Sequence, residues 1–129
     1  MIKCHDPAAI YAPLGAYTHA VEIPAGTRML TVSGQIGIRP DGSLAEGIEA
    51  QLRQSWANIA AILDSAGMTL TDIVKVTTIV VRQDDLKVHP KVRSEVLGLH
   101  RAAATGFCVS ALANPDILCE IEILAAAAR

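Results

Sequence analysis

Apolar side chains between Gly47 and Ala66 fall at helical spacing. Ile48, Leu52, Trp56, Ile59, Leu63 and Ala66 recur at three- and four-residue steps, while Glu49, Gln51, Arg53, Gln54 and Asn58 occupy much of the rest. This pattern predicts an amphipathic helix with Trp56 in its buried stripe. Gly67 follows as a residue able to end the helix in a left-handed conformation. The pattern then changes. Ile73 to Val81 (IVKVTTIVV) is dense in β-branched residues and predicts a strand with apolar positions on both faces. One layer of helices can cover one face, and a sheet from another subunit is a natural cover for the second.

Shorter runs fill in the rest. Thr18 to Ile23 and Arg28 to Ser33 read as two strands joined in a hairpin by the Pro24–Gly26 break. Arg39 to Ser43 has the chemistry of a turn. A second helix is expected over about Leu86 to Leu99, with Pro90 tolerated in its first turn. Gly106 to Ser110 and Leu118 to Ala126 read as closing strands separated by a turn at Ala113–Asp116. The predicted order is β-β-α-β-α-β-β in a single domain spanning residues 1–129.

Composition narrows the class. Hydrophobic residues make up 51% of 129 residues and charged residues 19%. So apolar a small chain is expected to cover part of its surface with another subunit. The formal net charge is −2, no Lys/Arg stripe is present, and aromatics are 3%. These features argue against nucleic acid as a partner. The three cysteines, Cys4, Cys108 and Cys119, fit neither a disulfide framework nor a zinc motif. Cys108 reads as a small buried hydrophobe on its strand. No metal or cofactor is expected. With no leader-like N-terminus and no apolar run long enough to span a bilayer, a cytoplasmic protein without membrane contact is expected.

Four segments, in order, resemble the RidA/YjgF (reactive-intermediate deaminase) family. They are Ala12-Pro13-Leu14-Gly15-Ala16-Tyr17-Thr18-His19-Ala20-Val21, Val32-Ser33-Gly34-Gln35-Ile36, Ile73-Val74-Lys75-Val76-Thr77, and Val109-Ser110-Ala111-Leu112 with Glu120-Ile121-Glu122. The resemblance covers nearly the whole chain. It implies an α+β, chorismate-mutase-like fold, with a mixed sheet carrying two helices on one face. It also implies a homotrimeric barrel with small-molecule clefts between subunits. Deaminating members of the family hydrolyse 2-imino acids, or their enamine tautomers, to 2-keto acids and ammonia.

The resemblance assigns roles residue by residue. Glu120 matches the glutamate that orients water. A carboxylate in the apolar strand ILCEIEILA is costly to bury without a partner, so the structural alternative is that Glu120 and Glu122 sit at a solvated edge or pair with Arg28 or Lys75. Ser33 and Gly34 match the signature turn, where a bare peptide N–H can meet a ligand oxygen; a bulge glycine is the structural alternative. Tyr17 matches the family's cleft aromatic or is a packed tyrosine.

The departures matter more. Counting back from Leu112 puts the family's carboxylate-binding arginine at Ala104, within Ala102-Ala103-Ala104-Thr105. Alanine cannot make that charged pair. Arg101, three residues upstream, could reach only the mouth of a cleft. Arg93 stands where an aromatic is common; it could lend charge from a neighbouring subunit, although its helix-face position alone reads as a solvated arginine. Pro90 replaces an asparagine and His19 a glutamine. His89 reads as a first-turn helix residue and His100 as a surface one. The leading expectation is therefore a cleft acting on an imine, enamine or related C–N bond in a substrate without a carboxylate at the usual place. A non-catalytic metabolite-binding protein is the alternative, and the endoribonuclease activity attributed to some relatives is a third.

Overall fold

A computed structural model describes residues 1–129. Four strands form the main sheet: β3 (Arg28–Gln35), β4 (Ile73–Val80), β5 (Ala103–Cys108) and β6 (Cys119–Ala127). Their spatial order is β3-β6-β4-β5. Strand β6 runs antiparallel to both β3 and β4, whereas β4 and β5 are parallel. The sheet is therefore mixed. The helices are α1 (Ile48–Ser65) and α2 (His89–Leu97), the latter preceded by a 3-10 turn at Gln83–Lys87.

Both helices lie on one face. Leu52, Trp56, Ile59 and Leu63 of α1 and Val92 and Leu97 of α2 share a core with Val76, Val80, Ile121 and Ile123. Helix α1 ends as its sequence requires, with Gly67 at φ 68°. Its buried Gln51 fixes the start of β6, donating through Nε2 to the Asp116 carbonyl (2.9 Å) and accepting through Oε1 from the Leu118 N–H (2.8 Å).

The opposite face carries no helix. Alternation places Lys75, Thr77 and Ile79 of β4, Glu120, Glu122 and Leu124 of β6, and Thr105 and Phe107 of β5 on it. These side chains are half-buried or exposed, and Phe107 is 42% exposed.

Several expectations need correction. Residues 18–23 and 28–33 do not form a hairpin. Strand β2 (Ala20–Glu22) pairs instead with β1 (Lys3–His5), an N-terminal strand absent from the expected order, and β3 pairs with β6. The Pro24–Gly26 break lets the chain leave one sheet and enter another instead of closing a hairpin. The closing strand β5 begins at Ala103, because its backbone runs parallel to β4 from Lys75 onward. Helix α2 stops at Leu97, where Gly98 takes φ 57°. Cys108 is exposed; the buried cysteine is Cys119, on the helix-covered face of β6.

Candidate active site

The signature turn and the glutamate meet. Strand β3 has a register irregularity between Val32, opposite Ile123, and Gln35, opposite Ile121. Ser33 and Gly34 occupy this bulge. A Cβ on Gly34 would overlap the Glu120 side chain, so only glycine leaves the carboxylate its present position. Glu120 lies opposite Ile79 and is half-buried. Neither Glu120 nor Glu122 forms an ion pair within the protomer. The alternative pairings are not formed: Arg28 donates to the carbonyls of Arg129 and Ala66, and Lys75 donates to the Thr105 hydroxyl at 2.8 Å.

A second constellation surrounds a cavity of about 370 Å³ between α2 and the β5 edge, where Tyr17, Thr78, His89, Arg93, Ala104 and Thr105 all contribute. Tyr17 is held there from two sides. Its hydroxyl accepts the Leu14 N–H at 3.1 Å, and the next residue, Thr18, is clamped. The Thr18 N–H donates to the Ala102 carbonyl at 3.1 Å, and its hydroxyl donates to Asp6 at 2.7 Å. Asp6 also accepts the His19 N–H. That bond, followed by the one from Thr18, holds its carboxyl below the usual range. Gly106 widens the cavity floor, since a Cβ there would press on Leu86 at 3.3 Å.

Behind the cavity lies a polar chain not anticipated from the sequence. His89 is buried, 3% exposed, and its ring is nearly parallel to that of Trp56, with centroids 5.9 Å apart. The Trp56 indole N–H donates to His89 Nε2 at 3.2 Å. Indole nitrogen can only donate, so Nε2 accepts and the ring proton resides on Nδ1, which donates to the Thr78 hydroxyl at 2.9 Å. Burial, reinforced by the Arg93 charge, pulls the His89 pKa down to about 3, which keeps the ring neutral. The only clue in the sequence was the apolar spacing that puts Trp56 inward. His100 is likewise half-buried and contacts the Ile73 carbonyl at 2.7 Å through Nε2.

Arg93 is not a solvated helix-face residue. It is half-buried, lines the same cavity as Ala104, and its Nε is buried without a hydrogen-bond partner. Burial lowers its pKa, and Arg101 adds to this while Tyr17 opposes it. A guanidinium stays protonated at neutral pH regardless. Arg101 lies elsewhere, lining a separate cavity, with Nη1 donating to the carbonyls of Gly98 and His100. The candidate residues thus form two groups in one protomer. Ser33, Gly34 and Glu120 stand on the sheet; Tyr17, Arg93, Ala104 and Thr105 surround the cavity; Arg101 joins neither. No grouping of His, Cys, Asp and Glu suits a metal ion. No helix is long and apolar enough to cross a membrane.

Comparison with known proteins identifies the family. A model described as Endoribonuclease L-PSP matches residues 7–127. Over 115 residues the chain is 38% identical to a RutC family protein of Pyrococcus horikoshii, covering 88% of each chain. Over 117 residues it is 34% identical to the 2-iminobutanoate/2-iminopropanoate deaminase of Salmonella typhimurium, covering 88% of this chain and 89% of that one. A solved structure of a Rid-family protein of unknown function from Yersinia pestis superposes with a TM-score of 0.85 over 96% of this chain and 97% of that one, at 31% identity. A family model spanning nearly every residue, and relatives matched along most of their length, leave one assignment: the chain belongs to the RidA/YjgF family.

Proposed function

We propose that this protein is a homotrimer whose intersubunit clefts hydrolyse an imine or enamine by a water molecule oriented by Glu120. The bare sheet faces pack together in the assembly. The Ser33–Gly34–Glu120 group of one copy then completes a cleft with the Tyr17–Ala104–Thr105 wall of its neighbour. The carrying observation is a carboxylate with no ion-pair partner, fitted against a bulge glycine on an uncovered sheet face, in a chain 34% identical to a named imine deaminase.

The chemistry needs little else. Water attacks the electrophilic carbon of C=N as Glu120 takes one of its protons. Glu120 passes that proton to the imine nitrogen, giving a carbinolamine; it then takes the hydroxyl proton and hands it to the same nitrogen as the C–N bond breaks, leaving C=O and ammonia with the carboxylate regenerated. Backbone N–H groups at the Ser33–Gly34 bulge are suited to steady the developing oxygen. The acidic balance and 3% aromatic content argue against the ribonuclease activity in the family's name.

The test uses 2-iminopropanoate generated in situ, with ammonia and pyruvate release as readouts. Glu120→Gln is expected to lower turnover by about 100-fold, the low end of general-base contributions. Equal rates for Glu120→Gln and the unaltered protein would remove Glu120 from the mechanism. If neither protein accelerates release, and a metabolite still binds, the same cleft serves a non-catalytic binding protein.

A further inference from the structure

We infer that Arg93 is the anchor for a substrate carboxylate, delivered from helix α2 in place of the guanidinium that Ala104 lacks. The sequence expectation of a substrate without a carboxylate is reversed by this reading. The inference deepens the proposed hydrolysis by naming the substrate as a small organic monoanion with a short apolar body.

Charge and unmet hydrogen bonding point the same way. Arg93 is the one cation lining the cavity, and no carboxylate lines it. Its Nε is buried with no partner, and it forms no ion pair. A buried N–H of a charged group left unsatisfied is costly, so a site of this kind is completed by an acceptor. A carboxylate offers the two oxygens that a guanidinium fork matches. The neighbouring His89 is neutral and supplies no competing charge. Thr78 accepts from His89 Nδ1 and keeps its own hydroxyl proton as a second donor for a ligand oxygen. Leu14, Leu86 and Pro90 form the apolar part of the wall. Its volume of about 370 Å³ lies near the small end of ligand pockets. Ala104 keeps the cavity open: a long side chain there would fill the space in front of Arg93.

The probe is 2-oxobutanoate, the stable keto product analogue, titrated calorimetrically at low salt beside the neutral ketone 2-butanone. The unaltered protein is expected to bind the keto acid and not the ketone. Arg93→Gln should weaken binding at least tenfold, and Arg93→Lys should retain an intermediate affinity. Glu120→Gln should still bind the keto acid while losing imine turnover, so anion capture and imine turnover can fail separately. Ala104→Asp gives Arg93 an internal partner and should abolish binding; it decides the matter if Arg93→Gln does not fold. The inference is overturned if keto acid and ketone bind alike, or if Arg93→Gln or Ala104→Asp binds as tightly as the unaltered protein. It is also overturned if a folded Arg93→Gln falls apart into single chains, because the guanidinium would then serve a carboxylate of another copy.

Discussion

The α2–β5 cavity and the helix-free sheet face differ in how completely one chain finishes them. Around the cavity most polar groups have a partner within the protomer, the Arg93 guanidinium being the exception: Trp56 pairs with His89, His89 with Thr78, Tyr17 with Leu14, Thr18 with Asp6. On the sheet face, Glu120 and Glu122 have no ion-pair partner, and Phe107 and Thr105 are exposed. A preorganised pocket needs only a ligand. A sheet face that sets Ile79, Leu124 and Phe107 among lone carboxylates gains from a second surface, because leaving those apolar side chains in water forgoes hydrophobic stabilisation.

The contrast is most sharply broken at Ile79, which lies between Glu120 and Phe107 on the bare face. Ile79→Asp places a second negative charge beside Glu120. It is expected to yield single chains by analytical ultracentrifugation, with imine turnover lost and far-UV circular dichroism unchanged. An Ile79→Asp protein that sediments like the unaltered one would move the proposed interface off this face.

The cavity side responds in stability instead. His89→Ala empties the space beside Trp56 and strands two hydrogen-bonding groups, at an expected cost of about 2–4 kcal/mol in denaturant unfolding. The same ring sets a pH dependence. The unfolded chain binds a proton at His89 below about pH 6.5, whereas the folded chain resists until about 3. Stability from this group is therefore whole above pH 6.5 and declines as the pH falls, by up to about 1.4 kcal/mol per unit. Between pH 7.5 and 5 that amounts to about 2 kcal/mol, and the slope should flatten in His89→Ala.

Gly34→Ala should act on rate more than on fold. The new methyl meets the flexible end of Glu120, which can turn aside. A tenfold to hundredfold loss of turnover is expected from the misplaced carboxylate, with a melting temperature within a few degrees of the unaltered protein. The smallest effect is a labelling pattern. Burial raises the Cys119 thiol to about 12, so it should react with a thiol reagent only after unfolding, while exposed Cys4 and Cys108 react in the native protein. Native protection of Cys108 would extend the covered surface around the β5 edge.

Much of this architecture was legible along the chain, for particular reasons. Helix α1 and strand β4 announce themselves because each buries one regular stripe, and periodicity records burial directly. Strand β1 was missed because Lys3–His5 is short, polar and mostly exposed, stabilised by its pairing with β2 rather than by a core. The hairpin was wrong because Pro-Gly punctuation marks a break in the chain without stating which strand lies alongside. Within the site, Gly34 meets the Glu120 side chain because the β3 bulge that holds Ser33 and Gly34 lies alongside β6. Arg93 shows no sign of burial in the sequence, because a charged residue on a helix usually faces water. Only the tertiary fold shows that α2 turns this position toward Ala104. His89 carried no local sign of burial, since its partners Trp56 and Thr78 lie 33 and 11 residues away.

The contact between Gly34 and Glu120 sets a joint size rule. Any side chain introduced at the bulge takes room from the acid opposite, and shortening that acid to aspartate would not give the room back, because Cγ of residue 120 would still lie within the overlap. Drift at position 34 is therefore penalised whichever acid stands at 120. Across descendants of this chain, the bulge stays glycine for as long as its neighbour keeps a side chain beyond Cβ.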